Sequence, residues 1–502
     1  MAEGLQDRRL AHRAAVSVAL LMAMMGGGNR VAQAQASAAP SITRNDYSLE
    51  LNQGPLIAPG RITGLAGATT ADAEAVEGVY NNAAAPAVRE PFSLRWFDHD
   101  ISIGLAFPGA YGNTDFDNRG ENGDQRLIQR TSRFLYYNLG LQLQFGELGI
   151  TVLGDFLSYD VGSLSGTTSS LALTTGRIHA VGAYSLFDNQ VVMGAGARIV
   201  VVNIAAQTSG GSVIRMAGAA PEVGVIVKPN DTQWRVGATA RAPVEATNLS
   251  TTHATVDPET GISEAGGFIL PDRVIQPWEI EAGIAWQYGP RPLNPAWIDP
   301  EKDEQALRRR VARERADRAR SQQADLASLP KATAEDLAKR AALAAAFARD
   351  EQAARAAEDK ELAEARERLY QERKARNLNW PRERVLLLAS LLITGASKSA
   401  VALEGFIDQK RDYVGQSVTL APRFAFESEP LANLLRVRAG TYFEPSRFSD
   451  GTYRQHFTFG GDVRLVSWDV FGIIAPTTWR LTSFLDLAPR YQNFGFGIGA
   501  WH

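Results

Sequence analysis

Apolar and polar residues alternate along much of this chain. In LYYNLGLQLQF, residues 135–145, Leu135, Tyr137, Leu139, Leu141, Leu143 and Phe145 share one parity. Tyr136, Asn138, Gly140, Gln142 and Gln144 share the other. A strand sends successive side chains to opposite faces, so this segment has an oily face and a polar face. The pattern recurs in Ile101–Phe107, Ile178–Leu186, Val191–Val201, Trp234–Arg241 and Trp278–Gln287. Fourteen strands are expected, at roughly 92–107, 132–145, 150–161, 176–187, 191–206, 213–228, 233–247, 277–288, 382–394, 416–427, 434–444, 455–466, 478–488 and 491–502. Each is about 10–16 residues, longer than a usual globular strand and suited to a tilted membrane crossing.

The connections alternate in length. Gly146–Gly149, Asp188–Gln190 and Pro229–Thr232 read as short turns, whereas 108–131, 162–175 and 248–276 read as long polar loops. Short turns alternating with long loops, and an even strand number, mark an outer-membrane barrel. The oily face then meets lipid and the polar face meets a lumen. A soluble sandwich would turn its oily faces toward each other; strand length and loop alternation disfavour it. Tyr137, Phe145, Tyr184, Trp234, Trp278 and Trp286 fall near strand ends, where interfacial aromatics belong. The expected fold class is an all-β transmembrane barrel of about fourteen antiparallel strands in 92–288 and 382–502. An N-terminal luminal plug and a helical periplasmic insertion complete it.

That insertion, 289–381, breaks the turn rule. It is rich in Ala, Arg, Glu, Leu, Lys and Gln, all good helix formers. Pro330 divides it into two helices, and Thr333 with Asp336 resembles a cap for the second. Its apolar positions are mostly alanine, so a solvated, charge-laced hairpin is expected; a periplasmic partner for the arm is the alternative. At the N-terminus, Arg8, Arg9 and Arg13 precede an apolar run and then Ala34-Gln35-Ala36, which reads as a signal peptide over 1–36. The small-residue-rich segment 37–91 shows no strand alternation and is expected to enter from the periplasm and fold back into the barrel.

Composition narrows the chemistry. The 502 residues carry a formal charge of -3 and no cysteine, which excludes disulfides and thiolate metal sites and gives no sign of nucleic-acid binding. There is no Gly-x-Ser-x-Gly elbow and no His-Glu-x-x-His; His179 and His456 lie in expected strands without a nucleophile nearby in sequence. No enzyme, cofactor or metal is expected. Asp115, Asp117 and Gly120 imitate the start of an EF-hand loop, but Arg119 takes a ligand position, so 114–124 reads as a solvated loop.

Three features single out candidate site residues. In the third strand Ile150 and Val152 share one parity while Leu157, Tyr159 and Val161 share the other. This reads as a β-bulge around Gly154-Asp155. Val385–Ile393 is apolar at both parities, so Leu386, Leu388 and Leu392 face inward, against a hydrophobic ligand or the plug. Counting back from the turn places Arg241 beside Glu279 or Glu281. That is a cross-strand ion pair, or a guanidinium available to a carboxylate.

Several motifs resemble the FadL-type outer-membrane transporters of long-chain fatty acids and other hydrophobic compounds. Gly64-Leu65-Ala66-Gly67-Ala68-Thr69-Thr70-Ala71 is similar to that family's hatch pattern. Tyr80-Asn81-Asn82-Ala83-Ala84 follows its next motif, with Ala83 where the family has proline. Trp234–Val244 and Arg436–Ser446 add to the likeness. The resemblance implies a fourteen-stranded barrel, a hatch marked by Gly64, Gly67, Ala68 and Asn82, and a kinked third strand opening laterally at Gly154 and Asp155. The implied function is transport of a hydrophobic small-molecule ligand among outer-membrane lipids. The last strand, with Phe494, Phe496 and Ile498, resembles the signal read by the barrel assembly machinery. Two alternatives stand beside transport: a barrel anchoring the helical arm, and a general porin for small polar solutes.

Overall fold

The structure is a computed structural model that describes residues 39–51, 54–89, 96–109, 114–119, 127–163, 171–206, 211–247, 251–252, 254–297, 300–330, 332–448, 452–468 and 477–501. The expected signal peptide, 1–36, lies outside the described residues.

Fourteen antiparallel strands close into a barrel. They are β1 (Phe97–Ala106), β2 (Leu127–Phe145), β3 (Leu148–Ser163), β4 (Leu171–Leu186), β5 (Val191–Ala206), β6 (Ser212–Val227), β7 (Trp234–Arg241), β8 (Glu279–Tyr288), β9 (Val385–Thr394), β10 (Thr419–Leu431), β11 (Leu435–Pro445), β12 (Tyr453–Trp468), β13 (Thr477–Ala488) and β14 (Tyr491–Ala500). Each pairs with its sequence neighbour, and β1 with β14 closes the ring. Every expected segment is one of these strands.

Side-chain alternation assigns the faces. Leu139 is 57% exposed and its neighbour Asn138 is 2% exposed. Ile103, Val152, Met193, Ile284, Phe459 and Ile498 join Leu139 on an exposed apolar belt, whereas Ser102, Gln142, Thr151, Arg198 and Glu281 face inward and are buried. A continuous apolar belt on a closed barrel is a lipid-facing surface. Trp278 and Trp286 bracket it, eight residues apart; on a tilted strand that is roughly 20 Å, close to an outer-membrane apolar band. No helix among the described residues is long and apolar enough to cross a membrane.

Strand ends differ from expectation in two places. β2, β3 and β4 reach 19, 16 and 16 residues, so they run past the apolar belt and consume part of the expected loops. β7 stops at Arg241 because Pro243 cannot continue the ladder. Val244–Ala246 then leaves the barrel and pairs with Arg273–Gln276.

That pairing belongs to a cap at the long-connection end. A five-stranded sheet there runs Tyr413–Val414, Ala400–Val401, Ser48–Glu50, Arg273–Gln276, Val244–Ala246. The N-terminal segment therefore sits at the long-connection end, opposite to the expected entry from the turn side. From there residues 54–89 pass down the lumen, through α1 (Gly60–Gly64) and α2 (Ala75–Gly78), to meet β1 at the turn end, where Gly146 N–H donates to Trp96 O at 2.8 Å.

The lumenal segment is nearly all buried and is tied to the wall on several sides. Asn82 Nδ2 donates to Val225 O (3.1 Å) and Ala238 O (3.3 Å) on β6 and β7. Asp72 pairs with Arg235 of β7 at 3.2 Å, and Glu77 with Arg480 of β13 at 3.0 Å. Glycines on the wall's inner face admit it: a Cβ at Gly194 would lie 1.9 Å from Ala83 O.

The insertion forms two antiparallel helices, α3 (Pro300–Ser328) and α4 (Ala334–Leu378), on either side of Pro330. Thr333 and Asp336 make the reciprocal cap, each side chain accepting from the other's N–H at 3.1 Å. Val311 and Ala365 bury a thin seam. Cross-helix pairs hold the rest, including Arg315–Glu358 (2.5 Å) and Arg366–Glu304 (2.8 Å). The hairpin emerges at the short-turn end, between β8 and β9. Two outcomes are expected. Gly194→Val unseats the lumenal segment, raising protease cleavage within 54–89 while heat-modifiable gel mobility still reports a closed barrel. Thr333→Ala lowers arm stability by about 1 kcal/mol in helix melting.

Candidate functional site

The inner wall changes character along the barrel axis. Toward the cap it is apolar: Leu157 and Tyr159 of β3, Leu173 of β4 and Val200 of β5 are buried. Phe116, from the connection after β1, joins them, and Phe134 stacks on Tyr159 at 4.6 Å. Phe116, Leu157, Tyr159, Leu173 and Val200, with Leu403 and Thr175, line a cavity of about 60 Å³, whose wall also carries Glu50, Asp117, Arg177 and Arg447. Residues 114–119 thus fold into the barrel mouth rather than forming a solvated loop. Arg119 there pairs with Glu404 and Asp412.

This chamber corrects the reading of the third strand. β3 keeps an unbroken register with β4, and with β2 from Leu148 to Ser158: Gly154 opposes Leu139 and Ile178, and Asp155 opposes Asn138 and Arg177. No bulge lies at Gly154-Asp155. The apparent parity fault arises because the inward residues turn from polar Thr151 to apolar Leu157, Tyr159 and Val161, while Ile150 and Val152 face lipid. The register shift falls on β2, between Arg130 and Leu135. Gly154 lies on the outer parity beside the Phe156 ring. Asp155 points inward and accepts from Arg177 Nε at 2.9 Å. The wall at the expected lateral opening is paired on both sides.

Arg177 marks the floor of the apolar chamber and the roof of a polar one. The lower chamber, a cavity of about 50 Å³, is lined by Arg177, His179, Arg198, Arg241, Arg423, Glu279 and Glu281 from the wall, with Leu392. Leu56, Tyr80 and Asn81 come from the lumenal segment. The expected pairing of Arg241 is present: Arg241 Nη1 lies 3.5 Å from Glu279 Oε2 and Nε lies 3.4 Å from Glu222. Arg198 takes Glu279 at 2.7 Å, and Arg423 takes Glu281 at 3.2 Å. Ser390 Oγ also donates to Glu281 (2.7 Å). His179 Nδ1 stands 3.0 Å from Glu222. Four arginines thus face Asp155, Glu222, Glu279 and Glu281, and the charges balance.

The same guanidiniums grip the lumenal main chain. Arg177 donates to Ile57 O (3.2 Å), Arg241 to Tyr80 O (2.6 Å) and Arg423 to Gly67 O (3.3 Å). Gly67 sits at φ +72, and a Cβ there would lie 2.7 Å from Arg423 Nη1. Gly64 packs its backbone on Gly460, and Thr458 Oγ1 donates to Gly64 O at 3.2 Å. Ala68 is fully buried with Leu65 and Ala71 against Leu386 and Leu388. Of the inward leucines, Leu386 and Leu388 therefore pack the plug, and Leu392 alone reaches the polar chamber.

Sequence reasoning missed Arg177, Arg198 and the His179–Glu222 pair, and of the apolar chamber it read only 199–202, apolar at both parities and suited to a hydrophobic pocket or a packed plug. A further cluster also went unseen: His456 holds Asp486 at 2.9 Å and Glu444 at 2.7 Å through its two ring nitrogens.

No known family profile matches the chain, and no curated protein matches it. Solved structures similar to it include a FadL homologue of Pseudomonas aeruginosa, 10% identical with a TM-score of 0.48, covering 89% of this chain and 99% of that one. The CymD monoaromatic hydrocarbon channel is 9% identical, TM-score 0.46, over 89% and 98%. The Pseudomonas putida toluene transporter TodX is 10% identical, TM-score 0.40, over 92% and 98%. At these identities and scores the barrel assignment stands on this chain's own strand pairing.

Arg177→Ala is expected to strand Asp155 as a buried, uncompensated charge and to cost about 3–5 kcal/mol in urea unfolding from lipid vesicles. Arg177→Met with Asp155→Asn should recover most of that loss; no recovery would count against the pairing as its cause.

Proposed function

We propose that this barrel carries hydrophobic molecules across the outer membrane, receiving them in the apolar chamber beneath the cap. The observation that carries the reading is the inward wall of Leu157, Tyr159, Leu173 and Val200. A diffusive porin keeps a wet, polar lumen, and here the lumen is filled by 54–89. The FadL-type motifs in the sequence agree with it. Long-chain fatty acids are the finer form of the proposal. The chamber widens beyond its about 60 Å³ to take the hydrocarbon tail, and the carboxylate competes with Asp155 for Arg177, which suits bidentate recognition.

Passage requires the lumenal segment to shift. Its hold on Arg177, Arg241 and Arg423 is polar and therefore exchangeable, while Ala68 and Asn82 seat it more deeply. Release sideways into lipid, as the family resemblance implies, needs β3 to part from a neighbour near Gly154 and Asp155. A second reading, a barrel that anchors the helical arm to a periplasmic partner, rests on the length and charged surface of α3 and α4.

The test is binding of a fluorescent long-chain fatty acid to the refolded barrel in detergent, with an unrelated barrel as control. Saturable binding that unlabelled hydrophobes displace is expected. Leu173→Glu should weaken it at least tenfold without altering heat-modifiable mobility, and deleting 300–378 should leave it unchanged. Binding no greater than the control, or full binding by Leu173→Glu, would refute the reading.

A further inference from the structure

The turn-end mouth of the lumen holds a second charged cluster, separate from the polar chamber. Arg291 follows β8, Arg382 and Arg384 precede β9, and Arg436 opens β11. Glu427 and Glu429 of β10 are buried carboxylates among them, and buried Asp462 of β12, opposite Arg436, is taken by Arg438 and Arg480. Glu427 is already shared: Arg438 Nε lies at 2.6 Å, Arg384 Nη2 at 2.8 Å and Arg61 Nε at 3.9 Å. Glu429 accepts from Asn433 N–H and has its arginines at longer range, Arg436 at 3.6 Å and Arg382 at 3.8 Å. Arg291 has no ion-pair partner among the described residues. The Nε–H groups of Arg291, Arg382 and Arg384 are all buried without a hydrogen-bond acceptor among the described residues.

Positive charge therefore exceeds negative charge in a half-buried mouth, and three buried donors lie there unmatched among the described residues. Burial, with the facing charges of Arg384, Arg436 and Arg382, disfavours the Arg291 cation. A guanidinium does not relieve such strain by losing its proton. It is relieved by an anion. Arginine forks match tetrahedral oxyanions in two-point contacts, and several forks together favour phosphate, which offers more acceptor oxygens than a carboxylate.

We propose that the turn-end mouth binds a phosphate-type anion between Arg291, Arg382 and Arg384. Free phosphate and the phosphodiester of a lipid headgroup share this chemistry. The site does not depend on what the apolar chamber carries.

Calorimetric titration of the full chain in uncharged detergent at low ionic strength tests this. One arm uses inorganic phosphate and the other soluble dihexanoyl phosphatidylglycerol. Saturable binding of at least one probe is expected, weakening as salt is raised. Arg291→Gln should weaken it at least tenfold with gel mobility unchanged, Arg291→Lys should restore part of it, and Arg368→Gln, on the exposed arm, should leave it intact. Binding of inorganic phosphate assigns the free anion as sufficient; binding of the lipid alone assigns a headgroup site. Failure of both probes to bind saturably, or equal binding by well-folded Arg291→Gln, would overturn the proposal.

Discussion

The constraint on which this structure depends is that a backbone in lipid finds no water for its N–H and C=O groups. A sheet meets it only by closing on itself, and fourteen paired strands do so here. Closure then creates a lumen whose walls carry the other half of every strand's side chains. Those side chains are buried too, so they need partners of their own. The lumenal segment supplies many of them: its carboxylates Asp72 and Glu77 take wall arginines, and its carbonyls at Ile57, Gly67 and Tyr80 take three more.

This mutual satisfaction sets how the plug is held. Glycines such as Gly194 and Gly224 let its backbone lie against the wall, where any side chain would collide with it. Such close contact fixes position. The charged contacts are different in kind: each wall arginine that holds a plug carbonyl also holds a wall carboxylate. In the transport we propose, a ligand headgroup exchanges into that network without leaving a charge bare. The apolar chamber sits directly above Arg177, so in that proposal a hydrophobe entering from the cap reaches the network tail-shielded.

The fold was legible because its signal is local. Alternation in 135–145 or 278–287 needs no knowledge of the partner strand, and Thr333 with Asp336 announces its own helix start. Arg241 with Glu279 was also readable, because a counted turn joins neighbouring strands. Arg177 with Asp155 was not, since the connection between β3 and β4 fixes no register from sequence. The third strand was misread for a related reason. Parity was judged by assuming a uniformly polar lumen, and the lumen is apolar exactly where Leu157, Tyr159 and Val161 turn inward. The direction of the plug was likewise invisible: Ser48–Glu50 declares a strand only by pairing with Arg273–Gln276 and Ala400–Val401, over two hundred residues away.

The central claim is that hydrophobic molecules occupy the chamber of β3, β4 and β5 inside the barrel. Photolabelling the refolded protein with a diazirine-bearing alkyl probe, followed by peptide mapping, addresses it most directly. Label on the inward residues Leu157, Tyr159, Leu173 and Val200, suppressed by excess unlabelled hydrophobe, is the expected result. Label confined to the lipid-facing row of Leu139, Ile150 and Ile284, insensitive to competitor, would contradict it.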